Sequence, residues 1–322
     1  MSFFNYTNKS FNDVEINIIN RYDYIMQLLN TLLFIMKHPL NKKNKLGSLL
    51  CFIKWQLKSR LYKSEHIYKW VDKTNFIIKR GEHAITGNLY CGLMEYEDMS
   101  FILHSLKETD NFYDIGANVG SYTLLASGVK RCKSFCFEPI QSTFERLIDN
   151  VNLNKIQHLV DARNIGIGDR NEIRSFTNDL NTTNRVCKDS DIDNTENVDV
   201  IRLDDNFKPS IPSIAKIDVE GFEHFVLKGG RNFFSSSNTI ALIIELNGSG
   251  KIFNIKDDEI HKEILSFGFS PIRYAPFERR LTSLESYNSN GNTIYVKDIE
   301  AIQKRCNESD SVCIHTSNDL II

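Results

Sequence analysis

The sequence Phe-Tyr-Asp-Ile-Gly-Ala-Asn-Val-Gly at residues 112–120 decides the fold expected for this chain. An apolar strand ends near Asp114, and a turn of small residues with Gly116 and Gly120 follows it. Glycine lets the backbone turn sharply after a buried strand and lets a ligand approach the main chain closely. The spacing, Asp-x-Gly-x-Asn-x-Gly with Asn118 at its centre, differs from the dinucleotide fingerprint Gly-x-Gly-x-x-Gly. The loop therefore predicts a nucleotide-type cofactor other than a dinucleotide.

A second short strand at residues 133–139 ends in Glu138, 24 positions after Asp114. An acid at the end of the second parallel strand binds the ribose diol in this architecture, because a carboxylate accepts both hydroxyl protons. An ordinary strand end, with proline opening a helix, is the alternative. We favour ribose binding, since the glycine loop lies at the right distance upstream. Asp114 would repel a pyrophosphate, so S-adenosylmethionine suits the loop better than NAD.

Five blocks of the chain resemble the FkbM-type family of S-adenosylmethionine-dependent methyltransferases, in the family's order. The blocks are Asp114 to Gly120, Phe137-Glu138-Pro139, Leu147 to Asn154, Arg202-Leu-Asp-Asp205 and Lys216-Ile-Asp-Val-Glu-Gly-Phe-Glu223. The resemblance covers roughly residues 92–246. It implies a Rossmann-like class I methyltransferase fold, a mostly parallel sheet with helices on both faces. It also implies methyl transfer to a hydroxyl, mostly of sugars or of glycosylated and polyketide natural products. Phe222, where many relatives carry His, and a polar insertion at 178–197 depart from the family.

The cofactor-binding residues predicted from these patterns lie mainly at strand ends. In an open parallel sheet the ligand lies beyond the carboxyl ends of the strands, where strand order reverses. Glu97 is included because the family pattern also has an acid there, although a surface helix position is an equal alternative. The predicted set is Glu97, Asp114, Gly116, Asn118, Gly120, Glu138, Asn164 and Asp218.

The predicted catalytic residues follow the fourth core strand, namely Asp218, Glu220, Glu223 and His224. An alcohol is a poor nucleophile while it is protonated, so methyl transfer to a hydroxyl needs a base. Asp218 is best placed by the motif, and clustered carboxylates raise one another's pKa. His224 lies two positions after the usual family His, so we favour a structural part for it. The carboxylates could instead hold Mg²⁺ together with Glu245 or Asp204, although the sequence does not require a metal.

Two regions are expected along the chain, a basic helical extension at 1–91 and the methyltransferase domain at 92–322. The first is predicted to contain helices up to about residue 75, a basic linker at 37–45 and a strand pair at 76–91 around Gly81 and Gly87. In the second, strands alternate with helical patterns, which predicts a parallel sheet. A hairpin is predicted around the insertion, and the last two long strands are expected to be reversed. The insertion itself is interpreted as a lid over the acceptor or as a surface loop.

Residues 37–80 hold about twelve Lys and Arg against two acids, although the chain as a whole is nearly neutral. Residues 46–63 have a helical apolar pattern, with Lys54, Lys58, Arg60 and Lys63 available for the opposite face. Such a helix fits an anionic membrane surface or partner, but we favour packing on the catalytic domain with a basic face in water. Residues 25–36 are apolar but fall short of the ~20 needed to cross a bilayer. Nucleic acid is not favoured, because a recognised binding fold is missing.

Seven cysteines without a Cys-x-x-Cys pair predict reduced thiols, no zinc site and a cytoplasmic protein, peripheral to a membrane at most. The predicted function is an S-adenosylmethionine-dependent O-methyltransferase acting on a sugar hydroxyl of a glycan, glycolipid or glycosylated metabolite. The alternatives are an N-methyltransferase or oxidoreductase on the same fold, and a scaffold with a vestigial pocket that binds a membrane or partner. The sequence does not indicate an oligomeric state.

Overall fold

The computed structural model describes residues 26–62, 65–79, 83–178, 184–187, 194–206, 210–289, 291–316 and 319–322. The helices are α1 (26–37), α2 (Lys45–Leu61), α3 (His83–Cys91), α4 (Tyr96–Ser105), α5 (Ser121–Thr123, continued by a π-helix at Leu124–Val129), α6 (Gln141–Leu153), α7 (Leu203–Asn206), α8 (Glu223–Gly229), α9 (Arg231–Ser235), α10 (Asp257–Ser266) and α11 (Ile299–Glu308). The strands are β1 (His66–Lys69), β2 (Asn75–Ile78), β3 (Asn111–Ile115), β4 (Lys133–Phe137), β5 (Val160–Arg163), β6 (Gly166–Ile167), β7 (Glu172–Thr177), β8 (Thr195–Ile201), β9 (Ile214–Ile217), β10 (Ala241–Leu246), β11 (Ser270–Ala275), β12 (Arg280–Ser283), β13 (Gly291–Val296), β14 (Cys313–Ile314) and β15 (Leu320–Ile321).

A central sheet of eight strands has the order β12-β11-β13-β10-β9-β3-β4-β5. Strands β5, β4, β3, β9 and β10 run parallel, whereas β13 is antiparallel to both β10 and β11. The predicted parallel sheet is therefore confirmed. Of the last two long strands only β13 is reversed, because β11 is antiparallel to β13 and so runs in the same direction as β10. From β3 the chain order runs outward through β4 to β5 on one side and through β9 to β10 on the other. This reversal point is where an open sheet of this kind binds its ligand.

The two faces of the sheet are covered by different helices, because successive strand residues point to opposite sides. Phe112 and Ile243 belong to an apolar cluster that includes residues of α4, α6 and α11. Tyr113 and Leu242, each one position away on the same strands, belong to a second cluster with residues of α8, α9 and α10. Near-continuous apolar strands such as Ala-Leu-Ile-Ile-Glu-Leu in β10 are expected when both faces are buried.

The strand pair predicted at 76–91 is wrong in position. The pair is β1 with β2, in the register His66 opposite Ile78, and residues 83–91 form α3. A β-carbon on Gly87 would lie 2.3 Å from the Met94 sulfur, so this glycine allows close packing on a helix instead of forming a turn. Gly81 lies outside the described residues. The predicted basic linker is also packed, since it contains a short 3₁₀ turn in which Leu40 is buried.

Helix α2 contacts α3, where the rings of Phe52 and Tyr90 lie 5.2 Å apart, and it joins the catalytic domain through a shared apolar cluster. Its outer face carries exposed apolar residues beside the basic residues that were expected there. Phe52 and Trp55 are buried in the same apolar cluster as Leu124, whereas Leu57 and other apolar residues are exposed. The helix contains enough apolar residues for two faces, and a pattern in sequence does not show which one is buried. Lys63 lies outside the described residues. Within the described residues, no helix combines the length and apolar character needed to span a bilayer.

The predicted hairpin around the insertion is confirmed as β7 and β8, which pair antiparallel from Glu172 opposite Val200 to Thr177 opposite Thr195. Phe176 on this hairpin packs with Phe222 and Val198 in a third apolar cluster. Residues 179–183 and 188–193 of the insertion lie outside the described residues, so its interpretation as a lid is not addressed there.

Candidate functional site

The loop after β3 reaches the end of β9 through Gly116. Gly116 has φ +82°, and a β-carbon there would lie 1.8 Å from the carbonyl oxygen of Asp218. The backbone N–H groups of Gly116 and Ala117 both donate to the carbonyl of Phe137 at the end of β4, at 2.9 and 3.0 Å. The loop therefore ties the ends of three strands together, and only glycine fits its first position.

Glu138 lies on the wall of a cavity at these strand ends, together with Gly116, Asn118 and Asp218. Its carboxylate accepts hydrogen bonds from the backbone N–H groups of Asn118 at 2.9 Å and of Ile140 at 3.0 Å. Burial raises the pKa of Glu138 to about 7, and these two hydrogen bonds oppose the shift. Each carboxylate oxygen has a second lone pair, so the group can still accept from a ligand.

Three predicted cofactor residues shape the loop without lining this cavity within the described part of the chain. Asp114 is buried and accepts a hydrogen bond from the Thr123 hydroxyl at 2.6 Å, and burial raises its pKa to about 6. Asn164 donates to the carbonyls of Glu138 and of the following proline, at 2.9 and 2.8 Å. Gly120 has φ +92° and leaves room for a side chain of α6. The contact of these three residues with the cofactor stays a prediction. Their observed role is to position the loop.

A buried ion pair stands at the end of β9. The Lys216 ammonium donates to the Asp218 carboxylate at 2.7 Å, and the lysine side chain is only 2% exposed. Burial alone would lower the pKa of Lys216, but Asp218 and Glu95 outweigh it and raise that pKa. Lys216 also lies over the ring of Tyr122, 5.1 Å from its centroid. Because strand residues two apart share a face, the two members of the pair point to the same side of β9.

Glu220 and Glu245 lie beside Asp218, with carboxylate oxygens of the three residues within 4.8 Å of one another. Burial, followed by the charge of Asp218, raises the pKa of Glu220 to about 7. Burial, followed by the charges of Asp218 and Glu220, raises the pKa of Glu245 to about 8. Like charges at this distance titrate together. One of these carboxyl groups can therefore accept a proton near neutral pH, and Glu220 also lines the cavity.

Glu223 and His224 were predicted as catalytic candidates but do not line the described cavity. Glu223 is 1% exposed and accepts from the backbone N–H groups of Val219 and Gly221, at 3.2 and 3.1 Å. It therefore holds the turn that carries Glu220. The His224 ring is 3.1 Å from the Glu263 carboxylate of α10, which agrees with the structural part favoured for this histidine. His224 lies two positions after Phe222, which lines the cavity. Two residues of a helix turn the side-chain direction by about 200°, so His224 points away from the cavity.

The acids near the Lys216 ammonium are Glu95, which directly precedes α4, and Asp98 of α4, and not the predicted Glu97. Glu97 is about half exposed and lies 3.8 Å from Arg273, outside the described cavity lining. Glu95 and Asp98 instead both accept hydrogen bonds from the Asn292 amide, at 2.7 and 3.1 Å. The sequence contained a signal for this pair, namely the helical period. Glu95 and Asp98 are three positions apart and therefore lie on the same side of the helix.

Of the two further carboxylates named as metal ligands, only Glu245 joins the cluster. Asp204 instead accepts from the backbone N–H groups of Asn232 and Phe233 and so caps the start of α9. These two residues lie almost 30 positions downstream of Asp204 in the chain. Glu245 could have been singled out as the one charged residue in the apolar run of β10.

The strand order, the glycine loop beside Glu138 and the cavity at the reversal point define a Rossmann-like fold of the class I methyltransferase type. Residues 114–271 match the family model described as Methyltransferase FkbM domain. This part of the chain is an FkbM-type methyltransferase domain, which confirms the resemblance found in the sequence.

The hexuronic acid methyltransferase AglP of Haloferax volcanii is 27% identical to this chain over 156 residues, which are 48% of this chain and 62% of that protein. The chain thus matches less than two thirds of that relative's length. An rRNA methylase from Streptococcus thermophilus has a TM-score of 0.39 at 12% identity, covering 62% of this chain and 93% of that one. A precorrin-6y C5,15-methyltransferase from Geobacter metallireducens has a TM-score of 0.37 at 12% identity, covering 63% and 88%.

Proposed function

We propose that this protein is an S-adenosylmethionine-dependent O-methyltransferase that acts on a sugar hydroxyl. The observation that carries the proposal is the position of Glu138 and Glu220 on one cavity, joined by the Gly116 loop. The first residue is of the type that binds a ribose, and the second is of the type that removes a proton. The FkbM family match supports methyl transfer.

The residues present fit the cofactor. The close approach of Gly116 to the end of β9 places the loop backbone on the cavity wall beside Glu138, which keeps lone pairs for a ribose diol. When bound, S-adenosylmethionine supplies a methyl group on a positively charged sulfur. The carboxylates of Asp218 and Glu220 would stabilise that positive charge in the same cavity.

We assign Glu220 as the general base, assisted by Glu245. The Glu220 carboxylate would take the proton of the acceptor hydroxyl, so that positive charge would not build up on the sugar oxygen. The cofactor, when bound, would supply the methyl group by loss of its S–CH₃ bond and would leave as S-adenosylhomocysteine. A base with a pKa near 7 is unprotonated in a useful fraction at neutral pH and still holds the proton it receives. Asp218 acts as a positioning residue, because Lys216 holds its carboxylate in place.

A sugar as the class of acceptor is supported by the named relative, a hexuronic acid methyltransferase, whereas the charge of the sugar is argued from the site of this chain. The carboxylate cluster around Asp218 favours a neutral sugar hydroxyl over a second anionic group, since like charges repel in a half-buried site. We therefore expect neutral hexosides to be better acceptors than uronates at this site.

Two measurements test the proposal separately. Calorimetric titration with S-adenosylhomocysteine tests the cofactor site, with NAD as the comparison ligand. Transfer of labelled methyl from S-adenosylmethionine to a panel of neutral hexosides, uronates and amino sugars tests the acceptor. Binding followed by labelling of a hydroxyl is the expected result. Failure of well-folded protein to bind S-adenosylhomocysteine, or labelling of nitrogen only, contradicts it.

A chelator separates the base from a metal site at the same carboxylates. If Glu220 acts as the base, EDTA leaves the transfer rate unchanged. If EDTA abolishes transfer and Mg²⁺ restores it, Asp218, Glu220 and Glu245 hold a cation and the assignment of Glu220 is wrong.

A further inference from the structure

Helix α2 exposes a stripe of large apolar side chains on the side opposite its packed face. Leu46, Leu50, Ile53, Leu57 and Leu61 are 69%, 47%, 44%, 57% and 75% exposed. Their spacing of three and four residues places them on one face of the helix. The buried Phe52 and Trp55 lie on the other face, so the exposed stripe is not needed for packing on the described domain.

Helix α1 presents a second stripe of the same kind. Met26, Leu29, Leu33 and Met36 follow one another at three and four residues and are each at least 38% exposed. Two neighbouring helices therefore both direct apolar residues outward. Monomeric soluble proteins seldom expose apolar patches of this extent without a partner.

The charge around these stripes has a single sign. Residues 26–62 contain seven Lys and Arg and no Asp or Glu. All seven are exposed, namely Lys37, Lys42, Lys43, Lys45, Lys54, Lys58 and Arg60. Lys54 and Lys58 directly follow stripe residues of α2 and so lie about 100° around the helix from them. The basic side chains of α2 therefore lie beside its apolar stripe, and both are exposed.

We propose that residues 26–62, the N-terminal surface, bind the surface of an anionic lipid membrane. Interfacial helices bury an apolar face at the level of the lipid head groups and place Lys and Arg beside the anionic phosphates. A second copy of this chain is a poor occupant, since two such surfaces would bring together basic charges without an acid between them. The FkbM domain would then work next to a membrane, whichever acceptor it uses.

Vesicle flotation of the full chain tests the proposal. Phosphatidylcholine vesicles are compared with vesicles that contain about 30% phosphatidylglycerol, at about 0.1 M and about 0.5 M NaCl. We expect binding to the anionic vesicles only, and a loss at high salt. The variant Lys54→Gln/Lys58→Gln should bind roughly 30-fold more weakly, because each basic residue at an anionic surface contributes about 1 kcal/mol.

Two further variants test whether vesicle binding depends on the apolar stripe of α2 or on any exposed apolar side chain. Leu46→Gln/Leu50→Gln/Leu57→Gln should abolish flotation while the circular dichroism spectrum stays unchanged. The matched control, Ile173→Gln/Leu265→Gln, removes apolar side chains that are 69% and 41% exposed elsewhere and should float like the parent.

Four outcomes would overturn the proposal. The first is that the parent protein does not float with anionic vesicles. The second is that neutral vesicles bind it equally well. The third is that a stable dimer, seen by sedimentation and lost in the triple leucine variant, takes up the surface instead. Protection of the N-terminal surface by residues 1–25 would show as vesicle binding only after their removal, and it also counts against the proposal for the full chain.

Discussion

Replacing Gly116 by alanine should disrupt the cofactor site for two reasons, backbone strain and steric overlap. The backbone has φ +82°, a left-handed conformation that residues with a β-carbon adopt only under strain. The added β-carbon would also lie 1.8 Å from the Asp218 carbonyl oxygen and 2.8 Å from its carbonyl carbon. Neither atom belongs to a flexible side chain, so the backbone itself has to move.

The magnitude follows from these two terms. The left-handed conformation costs an alanine about 1–2 kcal/mol. Relieving the overlap costs typically about 1–3 kcal/mol more, as for other overpacked sites. Gly116→Ala should therefore lower the free energy of unfolding by about 2–5 kcal/mol, roughly 2 °C of melting temperature for each kcal/mol. Because the loop moves by about an ångström, S-adenosylhomocysteine should bind at least about tenfold more weakly.

Gly268→Ala is the matched control for this experiment. Gly268 has a nearly identical φ of +88°, but a β-carbon there would meet nothing within 4 Å. The control therefore carries the backbone strain without the overlap. Thermal melting and calorimetric titration of both variants give the comparison. If Gly116→Ala melts like Gly268→Ala and binds S-adenosylhomocysteine like the parent, the close approach of the loop to β9 is not what forms the site.

Four further predictions concern the acidic groups and their partner. Glu138→Gln should weaken S-adenosylhomocysteine binding roughly 10- to 100-fold, since a hydrogen bond to a charged group contributes about 1.5–3 kcal/mol; Glu220→Gln, measured by the same calorimetry, should keep the affinity. The transfer rate should rise with pH through the range about 7 to 8, because the base acts unprotonated and the pKa values of Glu220 and its neighbour are raised to about 7 and about 8. Glu220→Gln should lower that rate about 10²- to 10⁴-fold, whereas His224→Gln should leave the rate and its pH profile unchanged. Lys216→Met should cost about 1–3 kcal/mol in urea unfolding because it leaves the Asp218 carboxylate, whose side chain is 32% exposed, without its charged donor, against at most about 1 kcal/mol for Lys304→Met at an exposed pair.

For each of these predictions, a contrary result would refute the role assigned to the residue. Unchanged affinity in Glu138→Gln would exclude this residue from ribose binding. A flat pH profile in the parent, or a full loss of activity in His224→Gln, would remove Glu220 as the base. Equal urea midpoints for the two lysine variants would show that the buried pair does not stabilise the fold.

The residues of the cofactor loop were predictable because their requirement is local. Gly116 is needed for a left-handed turn directly after a strand, and Glu138 follows from its distance along the chain and its strand end. Both features are visible in a linear sequence. The same applies to β3, which was predicted to end near Asp114 and is observed at Asn111–Ile115.

The catalytic side of the site was predicted less well, because several acids follow one another along the chain. Asp218, Glu220, Glu223 and His224 were all candidates in sequence, with Asp218 best placed and His224 favoured as structural. The turn at Glu220, with φ +52°, separates those that reach the cavity from those that do not. Glu245 joins them only because β10 pairs with β9.

The sequence by itself determined the order of strands and helices, the glycine loop and the family of the domain, since periodicity and turn residues act over short distances. Only the tertiary structure decided which face of each helix is buried. Helix α2 has apolar residues on two sides, and packing against the domain selects Phe52 and Trp55 for the core and leaves Leu57 in water. Burial also raised the pKa of Glu220, because desolvation depends on neighbours that are distant in the chain. Non-local contacts of this kind are not encoded in any single stretch of residues.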